Sequence, residues 1–325
     1  MFRTTSARQS QAASNQEALA FEPAAMEGMT HRMANLGFLG LGIMGGPMAQ
    51  HLIDAGHTVA LWSYSAGKAE KLTGGKPKAT PAEVAAASDI IFLCVGDTAM
   101  SREVILGKDG LIEQAKPGTI IVDCSTVSPS ESKRIGEALA AKGIEFLDAP
   151  CTGSKAGAEN GKLTFMIGGK KEIFDKVEPF FKNMGELLYY CGAAGMGLSA
   201  KLSQNMILGS LLQAFNESMV LAVKSGVDPN QMLDILNNSA AKSTFISVKA
   251  PMVFKRNFST NFSVKWLEKD MQLMLDHAGE QNVPAPITAL SAQMLRAAIA
   301  KGYGEDDICG SIRLLEDLTG TTVKG

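Results

Sequence analysis

The spacing of apolar residues changes character once along this chain. From residue 35 to about residue 190, short apolar runs alternate with amphipathic stretches; beyond that only helical spacing remains. Residues 36–39, 57–62, 90–95, 119–123, 145–148, 163–167 and 187–190 read as strands. Between them the pattern predicts helices from the glycine turn to about residue 55, then over 66–73, 82–87, 130–142 and 171–182. Such alternation implies a parallel sheet covered by helices on both faces.

The longest periodic stretch runs from Gly195 to Gly226 and holds no proline. Leu202, Met206, Leu208, Leu212, Phe215, Met219, Leu221 and Val223 recur near helical spacing, and Gly226 with Pro229 supplies the stop. About 28 helical residues at ~1.5 Å each make a rod of roughly 42 Å, enough to span a domain. Ile207, Leu211 and Val220 widen its apolar face, so much of the rod is expected to be buried. After it, residues 230–238, 264–281, 287–301 and 306–318 read as helices, with no further strand. The expected organisation is an α/β half over residues 35–196 and an all-helical half over 197–325, joined by the long helix.

Residues 1–34 are dominated by Gln, Ser, Ala and Thr without periodicity and are expected to form a disordered leader. Arg3 and Arg8, with no acid among the first sixteen residues, give it a faint likeness to an organelle transit peptide. Met29 and Met33, just before the first strand, fit an over-extended start equally well.

Bulk properties narrow the function. The 325 residues carry a formal net charge of −2, with 46% apolar and 20% charged residues, ordinary for a globular protein. That balance gives no reason to expect nucleic acid or an anionic membrane as partner. No apolar run reaches the ~18 residues of a membrane span. Cysteines 94, 124, 151, 191 and 309 form no CxxC pair, which predicts reduced thiols in the cytoplasm. Histidines 31, 51, 57 and 277 make no HExxH pair, so no metal site is expected.

Gly40-Leu41-Gly42-Ile43-Met44-Gly45 is a GxGxxG between the first strand and the first helix. In that position the first glycine makes the turn, the second lets a pyrophosphate approach the backbone, and the third lets helix and strand pack. The fold class predicted is therefore a Rossmann domain with an all-α C-terminal domain, and the cofactor a nicotinamide dinucleotide. Its choice should be written after the second strand, where Ser63, Tyr64 and Ser65 stand with no Asp or Glu to hold a ribose diol. Ser63, Ser65 and Lys68 suit a 2′-phosphate, with Tyr64 against the adenine, so NADP is expected over NAD.

Lys201 and Asn205 lie four apart in the first turns of the long helix, on one face. A lysine there opposes the macrodipole, which favours anions by ~0.3–1 kcal/mol. A surface lysine covering apolar neighbours with its stem is one reading; a functional ammonium is the other.

Five co-linear blocks decide between them: GFLGLGIMGGPMA, DCSTVSPS, DAPCTGSKAGAENGKLTFMIGG, GMGLSAKLSQNMILG and KWLEKDM. Together they resemble the β-hydroxyacid dehydrogenase family over nearly all of residues 35–320. That family includes 3-hydroxyisobutyrate dehydrogenases, tartronate semialdehyde reductases and glyoxylate/succinic semialdehyde reductases. The resemblance implies that Lys201 is the catalytic lysine and Asn205 its partner one turn on. It implies that Ser125, Thr152, Gly153, Phe262 and Asp270 contact substrate. Val95, Thr126 and Lys269 join the glycine turn in holding cofactor, and Lys269 with Asp270 closes over the site. The substrate would be a small carboxylate-bearing aldehyde or hydroxy acid, and the assembly a homodimer or homotetramer pairing through the helical half.

Departures from the family pattern refine this. Cys151-Thr152 replaces the usual valine-serine, keeping the hydroxyl and adding a methyl. Ser63-Tyr64-Ser65 replaces the Asn-Arg-Thr of NADP-specific members and loses the arginine fork. Ser154-Lys155 after Gly153 is similar to the glyoxylate/succinic semialdehyde reductases. The alternatives are a 3-hydroxyisobutyrate-type dehydrogenase using NAD, and a non-catalytic dinucleotide-binding module, against which Lys201 speaks. Lys201 also speaks against an imine reductase, where Asp or Tyr is common. The cysteines, Met44 and Met48 are expected to serve packing.

Overall fold

The structure, a computed structural model, describes residues 33–325. All but the last two residues of the expected leader lie outside that range. Among the described residues, β1 (Asn35–Leu39), β2 (Thr58–Trp62), β3 (Lys76–Pro77), β4 (Ile90–Leu93), β5 (Ile120–Asp123), β6 (Glu145–Asp148), β7 (Cys151–Thr152), β8 (Leu163–Gly169) and β9 (Gly185–Gly192) form one sheet. Its order is β3-β2-β1-β4-β5-β6-β8-β7, with β9 also on β8. β1 to β6 run parallel, and β8 is antiparallel to β6 and β7 and parallel to β9. The sheet is thus mixed at one end, where a wholly parallel one was expected. Strand order reverses between β1 and β4, so a crevice opens at the carboxyl ends of those strands.

Helices cover both faces. Between the strands lie α1 (Gly45–Asp54), α2 (Pro81–Ala86), α3 (Thr98–Leu106), α4 (Leu111–Gln114), α5 (Pro129–Ala140), α6 (Ser154–Glu159) and α7 (Lys171–Met184). Alternation within the strands sends Leu36, Phe38 and Phe92 into a core shared with Met48 and Phe181. The opposite positions, Leu39, Ile91 and Leu93, pack with Val104 and Ile135. The helix expected over 66–73 shrinks to a 3₁₀ turn, Ala69–Lys71, flanked by Gly67 and Gly74, both at positive φ.

Beyond β9 the chain is helical: α8 (Met196–Lys224), α9 (Pro229–Asn237), α10 (Thr244–Phe254), α11 (Val264–Glu280), α12 (Pro286–Ala298) and α13 (Ile312–Thr319). By length and a mean hydropathy of 1.4, α8 meets the measure of a membrane-crossing helix, which the sequence reading did not expect. Its buried face carries Lys201, Asn205, Gln213 and Asn216 beside Leu202, Leu212, Phe215 and Met219, and it packs as a core helix. Burial is one-sided: Ile207 and Leu221 are exposed, where a largely buried rod was expected. α8 crosses α11 closely at Gly209, where a β-carbon would sit 1.7 Å from Cε of Met271.

Candidate active site

The turn between β1 and α1 is closely packed at two of its glycines and open at the third. Gly40 has φ +87°, and a β-carbon there would lie 2.2 Å from the carbonyl oxygen of Cys94. One at Gly45 would lie 1.9 Å from the carbonyl oxygen of Gly40, so both glycines are required by packing. Gly42 differs: a β-carbon there meets nothing within 4 Å, so its missing side chain leaves open space before the helix. No acid stands in the first turn of α1, and its cap residue Met44 makes no side-chain cap bond. Leu41 is buried and Ile43 half exposed. An open concavity facing unopposed helix N–H groups fits the pyrophosphate of a dinucleotide.

At the end of β2, Ser63 is half-buried, and Ser65 and Lys68 are exposed. The Tyr64 hydroxyl donates to Oε2 of Glu103 at 2.8 Å, and its ring meets Trp62 edge-on at 4.8 Å. Partial burial, then the Glu103 bond, pushes the phenol up to about 12. A carboxylate from α3 therefore stands beside the segment expected to choose the cofactor, which the sequence reading missed.

The carboxyl ends of β4 and β5 carry an interlocked pair of loops. Val95 N–H donates to Oγ of Ser125 at 2.8 Å, and Ser125 N–H to Oδ1 of Asp123 at 2.8 Å. Ser101 from α3 donates to the other Asp123 oxygen. Burial raises the Asp123 carboxyl, and these hydrogen bonds oppose the rise. Lys269 reaches across from α11: its Nζ donates to the carbonyl oxygens of Thr126 at 2.6 Å and Gly96 at 3.1 Å. Trp266, one turn earlier, lies so close to Gly96 that a β-carbon there would meet its ring at 2.9 Å. The far end of α11 is tied as well, since Ser130 donates to Oε1 of Glu280 at 2.9 Å.

Lys201 is buried, 7% exposed. Among the described residues its one hydrogen bond is a long contact, 3.5 Å, to Oε1 of Gln204. Asn205, one turn on, donates to Oδ2 of Asp270 at 2.8 Å, and Lys269 Nζ stands 3.1 Å from Oδ1 of the same carboxylate. Burial pulls the Lys201 ammonium below the usual lysine value; Asp270 and Cys151 oppose that, and Lys269 adds to it. The surface-lysine reading is thereby excluded. Cys151, beside Lys201, has its thiol pushed up to about 11 by burial, and burial raises Cys94 and Cys124 too. All three belong to the core under the site, and burial holds them as neutral thiols.

Thr152 and Gly153 follow Cys151 directly. Gly153 has φ +133° and Ser154 φ +56°, two consecutive positive values that turn the chain sharply into α6. A non-glycine residue in that region is strained, a common mark of ligand-facing loops. Phe262 sits in the loop before α11, packed against the core cluster that includes Leu202. That loop is held by Asp307, whose Oδ2 accepts from the N–H groups of Asn261 at 3.1 Å and Phe262 at 3.3 Å. Both Asp307 oxygens accept from Nζ of the buried Lys249, at 2.7 and 2.8 Å.

The structure thus links Lys201, Asn205, Lys269, Asp270, Thr126, Ser125 and Val95 in one cluster at the carboxyl ends of β4 and β5, with Cys151 and hence Thr152 beside it. Phe262 is placed by its loop rather than by any bond to that cluster. Two residues the sequence reading passed over are Asp123 and Asp148. Their signal was present: each is an acid ending an apolar strand, IIVD and EFLD. Among the described residues no cluster suits a metal ion.

Comparison with known proteins bears on the family and the fold. Residues 35–192 match the NAD binding domain of 6-phosphogluconate dehydrogenase, and residues 195–315 match the NAD-binding domain of NADP-dependent 3-hydroxyisobutyrate dehydrogenase. The chain is 35% identical to 2-(hydroxymethyl)glutarate dehydrogenase of Eubacterium barkeri over 293 residues, 89% of this chain and 97% of that one. It is 37% identical to glyoxylate/succinic semialdehyde reductase 2, chloroplastic, of Arabidopsis thaliana, covering 87% of this chain and 79% of the relative. Among solved structures, Mycobacterium tuberculosis 3-hydroxyisobutyrate dehydrogenase with L-serine superposes with a TM-score of 0.80 at 27% identity, covering 87% and 99% of the two chains.

Proposed function

Because the chain belongs to the β-hydroxyacid dehydrogenase family of NAD(P)-dependent oxidoreductases, we propose that it reduces a small aldehyde acid to its hydroxy acid, with NADPH preferred and Lys201 as the general acid. The observation that carries this reading is the buried Lys201 ammonium, near enough to Asp270 and Lys269 to feel both charges, with Asn205 bonded to that Asp270. The substrates named in the two relatives, glyoxylate or succinic semialdehyde and 2-(hydroxymethyl)glutarate, all bear a carboxylate.

In this reading residues 35–196 hold the cofactor and residues 197–325 complete the substrate site and the assembly. Gly40, Leu41, Gly42, Ile43, Met44 and Gly45 cradle the pyrophosphate. Ser63, Ser65 and Lys68 take the 2′-phosphate, and Tyr64 the adenine. Val95, Thr126 and Lys269 hold the nicotinamide end. When bound, the nicotinamide supplies the hydride. Lys201 Nζ donates to the carbonyl oxygen and releases its proton as negative charge grows there, so it stabilises the transition state more than the ground state. Its lowered basicity brings that proton nearer to working pH. Asn205 fixes Asp270, and Asp270 keeps the ammonium protonated. The Thr152 and Ser125 hydroxyls and the Gly153 N–H receive the substrate carboxylate, with Phe262 closing the pocket.

Initial rates with NADPH and NADH against glyoxylate, succinic semialdehyde, methylmalonate semialdehyde and tartronate semialdehyde test the reading. Preference for one of the first two with NADPH is expected. Preference for methylmalonate semialdehyde with NADH would replace it with the 3-hydroxyisobutyrate-type alternative, and no turnover on any pair would leave a binding module.

The exposed strip of α8 supports self-association. Ile207, Leu208 and Leu211 line, with Phe245 of α10, a groove of about 390 Å³ that is apolar except for Ser203 and Gln204. In this reading a second copy of the chain covers it, giving a homodimer or a pair of dimers. Sedimentation of Ile207→Asp against the wild type tests this; an unchanged mass rejects it. The site of action in this reading is the cytoplasm, although one relative is chloroplastic. A fluorescent fusion of the full chain, with and without residues 1–34, reads out organelle targeting directly.

A further inference from the structure

The sequence posed a conflict: α8 places a lysine in its second turn, near the positive end of the helix dipole. Burial sharpens it, because desolvation and the dipole both disfavour an ammonium there. The structure ties the first turn of that helix to the sheet. Asp148, the last residue of β6, is 1% exposed and accepts from Gly195 N–H through Oδ1 at 2.6 Å and from Leu198 N–H through Oδ2 at 2.9 Å. Both oxygens are engaged as acceptors of backbone N–H groups, the arrangement that suits a carboxylate rather than an acid. Burial raises this carboxyl above its ordinary value, and the N–H groups of Gly195, Leu198 and Gly197 oppose the rise.

Close approach is built in. A β-carbon at Gly197 would lie 2.3 Å from the Met166 carbonyl oxygen and 2.9 Å from Oδ2 of Asp148, and one at Gly168 would lie 2.5 Å from Oδ1. Gly195 takes φ +83° to begin the helix. The first turn of α8 is therefore seated on one buried carboxylate, and Lys201 follows Leu198 by three residues, one turn along the helix. We propose that Asp148 is a positioning residue for catalysis: acting through the first turn of α8, it fixes where the Lys201 amine stands, and so how that amine faces Asp270.

This rests on reading Lys201 as the acid. Other groups face the pair: Asp270 and Lys269 of α11, Cys151 of β7, and Gln204 and Asn205 of α8 face Lys201. Asp123 of β5 and Cys191 of β9 face Asp148, and the Lys133 stem of α5 lies over Gly195. None of these caps the helix, so their charges remain in place when Asp148 is changed.

The experiment compares Asp148→Asn, Asp148→Glu, Lys201→Ala and wild type. Cofactor affinity is read by quenching of intrinsic fluorescence, and kcat for reduction is read against pH. Asp148→Asn leaves one acceptor oxygen for two N–H groups, so the first turn loses part of its seat and kcat should fall at least tenfold. The basic limb should move to lower pH, because an amine shifted from Asp270 loses the charge that supports it. Cofactor affinity should stay within about threefold. Asp148→Glu keeps both oxygens on a longer stem, so it should displace the turn, lower kcat and move the limb the same way; it serves also if the asparagine variant does not accumulate. A limb unmoved in both variants, or a kcat equal to wild type, overturns the proposal. Full turnover by Lys201→Ala overturns the acid assignment instead, and the two failures are told apart.

Discussion

Nδ2 of Asn205 on α8 donates to Oδ2 of Asp270 on α11 at 2.8 Å, with both side chains buried. The bond fixes the carboxylate that opposes the loss of charge at Lys201. Replacing Asp270 by Asn removes that support, and the Lys201 ammonium then gives up its proton at lower pH. In the proposed reaction, reduction needs the protonated amine, so the basic limb of kcat for reduction should move to lower pH. Oxidation needs the neutral amine, so its acidic limb should move the same way. Rate profiles in both directions check the sign.

Lys201→Met removes donor and charge while keeping much of the apolar stem. General acid catalysis contributes about 10²–10⁴-fold, so kcat should fall by at least the lower figure. Cofactor affinity should hold within about twofold, because the glycine turn lies on another element. Single-turnover reduction and fluorescence titration separate the two effects.

The glycines of the turn should behave oppositely. Gly42→Ala places a methyl in open space, so stability should change by less than about 1 kcal/mol, while cofactor affinity falls tenfold or more. Gly45→Ala places its methyl 1.9 Å from the Gly40 carbonyl oxygen, so the fold itself should suffer. Thermal melts with and without NADPH distinguish ligand loss from scaffold loss.

Much of this was legible because the signals are local. The first glycine turn follows an apolar strand, and α8 holds its period without a proline, so both were read with ends close to those observed. The helix over 66–73 failed because two glycines bracket it. α3 escaped notice although Asp97 caps it by accepting from Met100 N–H, since a nine-residue helix offers few turns of periodicity. α10 is apolar nearly all round and carries Pro251, so no face stood out. Asp123, Asp148 and Glu103 act through partners 22 or more residues away; a linear pattern shows such residues but not what they meet.

Lys249 and Asp307 form a buried pair that also holds the loop carrying Phe262. Asp307→Asn strands the lysine charge and should cost about 3–5 kcal/mol, read as a lower denaturant midpoint. Lys249→Met with Asp307→Asn should recover part of that loss by removing the stranded charge. KM should stay raised in the double variant, because an amide keeps one acceptor oxygen where Oδ2 served the loop N–H groups and Oδ1 served Cys309 N–H.

The crossing at Gly209 has a consequence for redesign. Two rods meet there with only a hydrogen between backbone and thioether, one turn beyond Asn205 and one residue from Asp270. The gap between the amine and its opposing acid is thus pinned by a hinge-like point with no slack. In the proposed reaction a bulkier substrate is therefore to be accommodated from the sheet side, at Cys151 and Thr152, where a smaller side chain makes room without prying the rods apart.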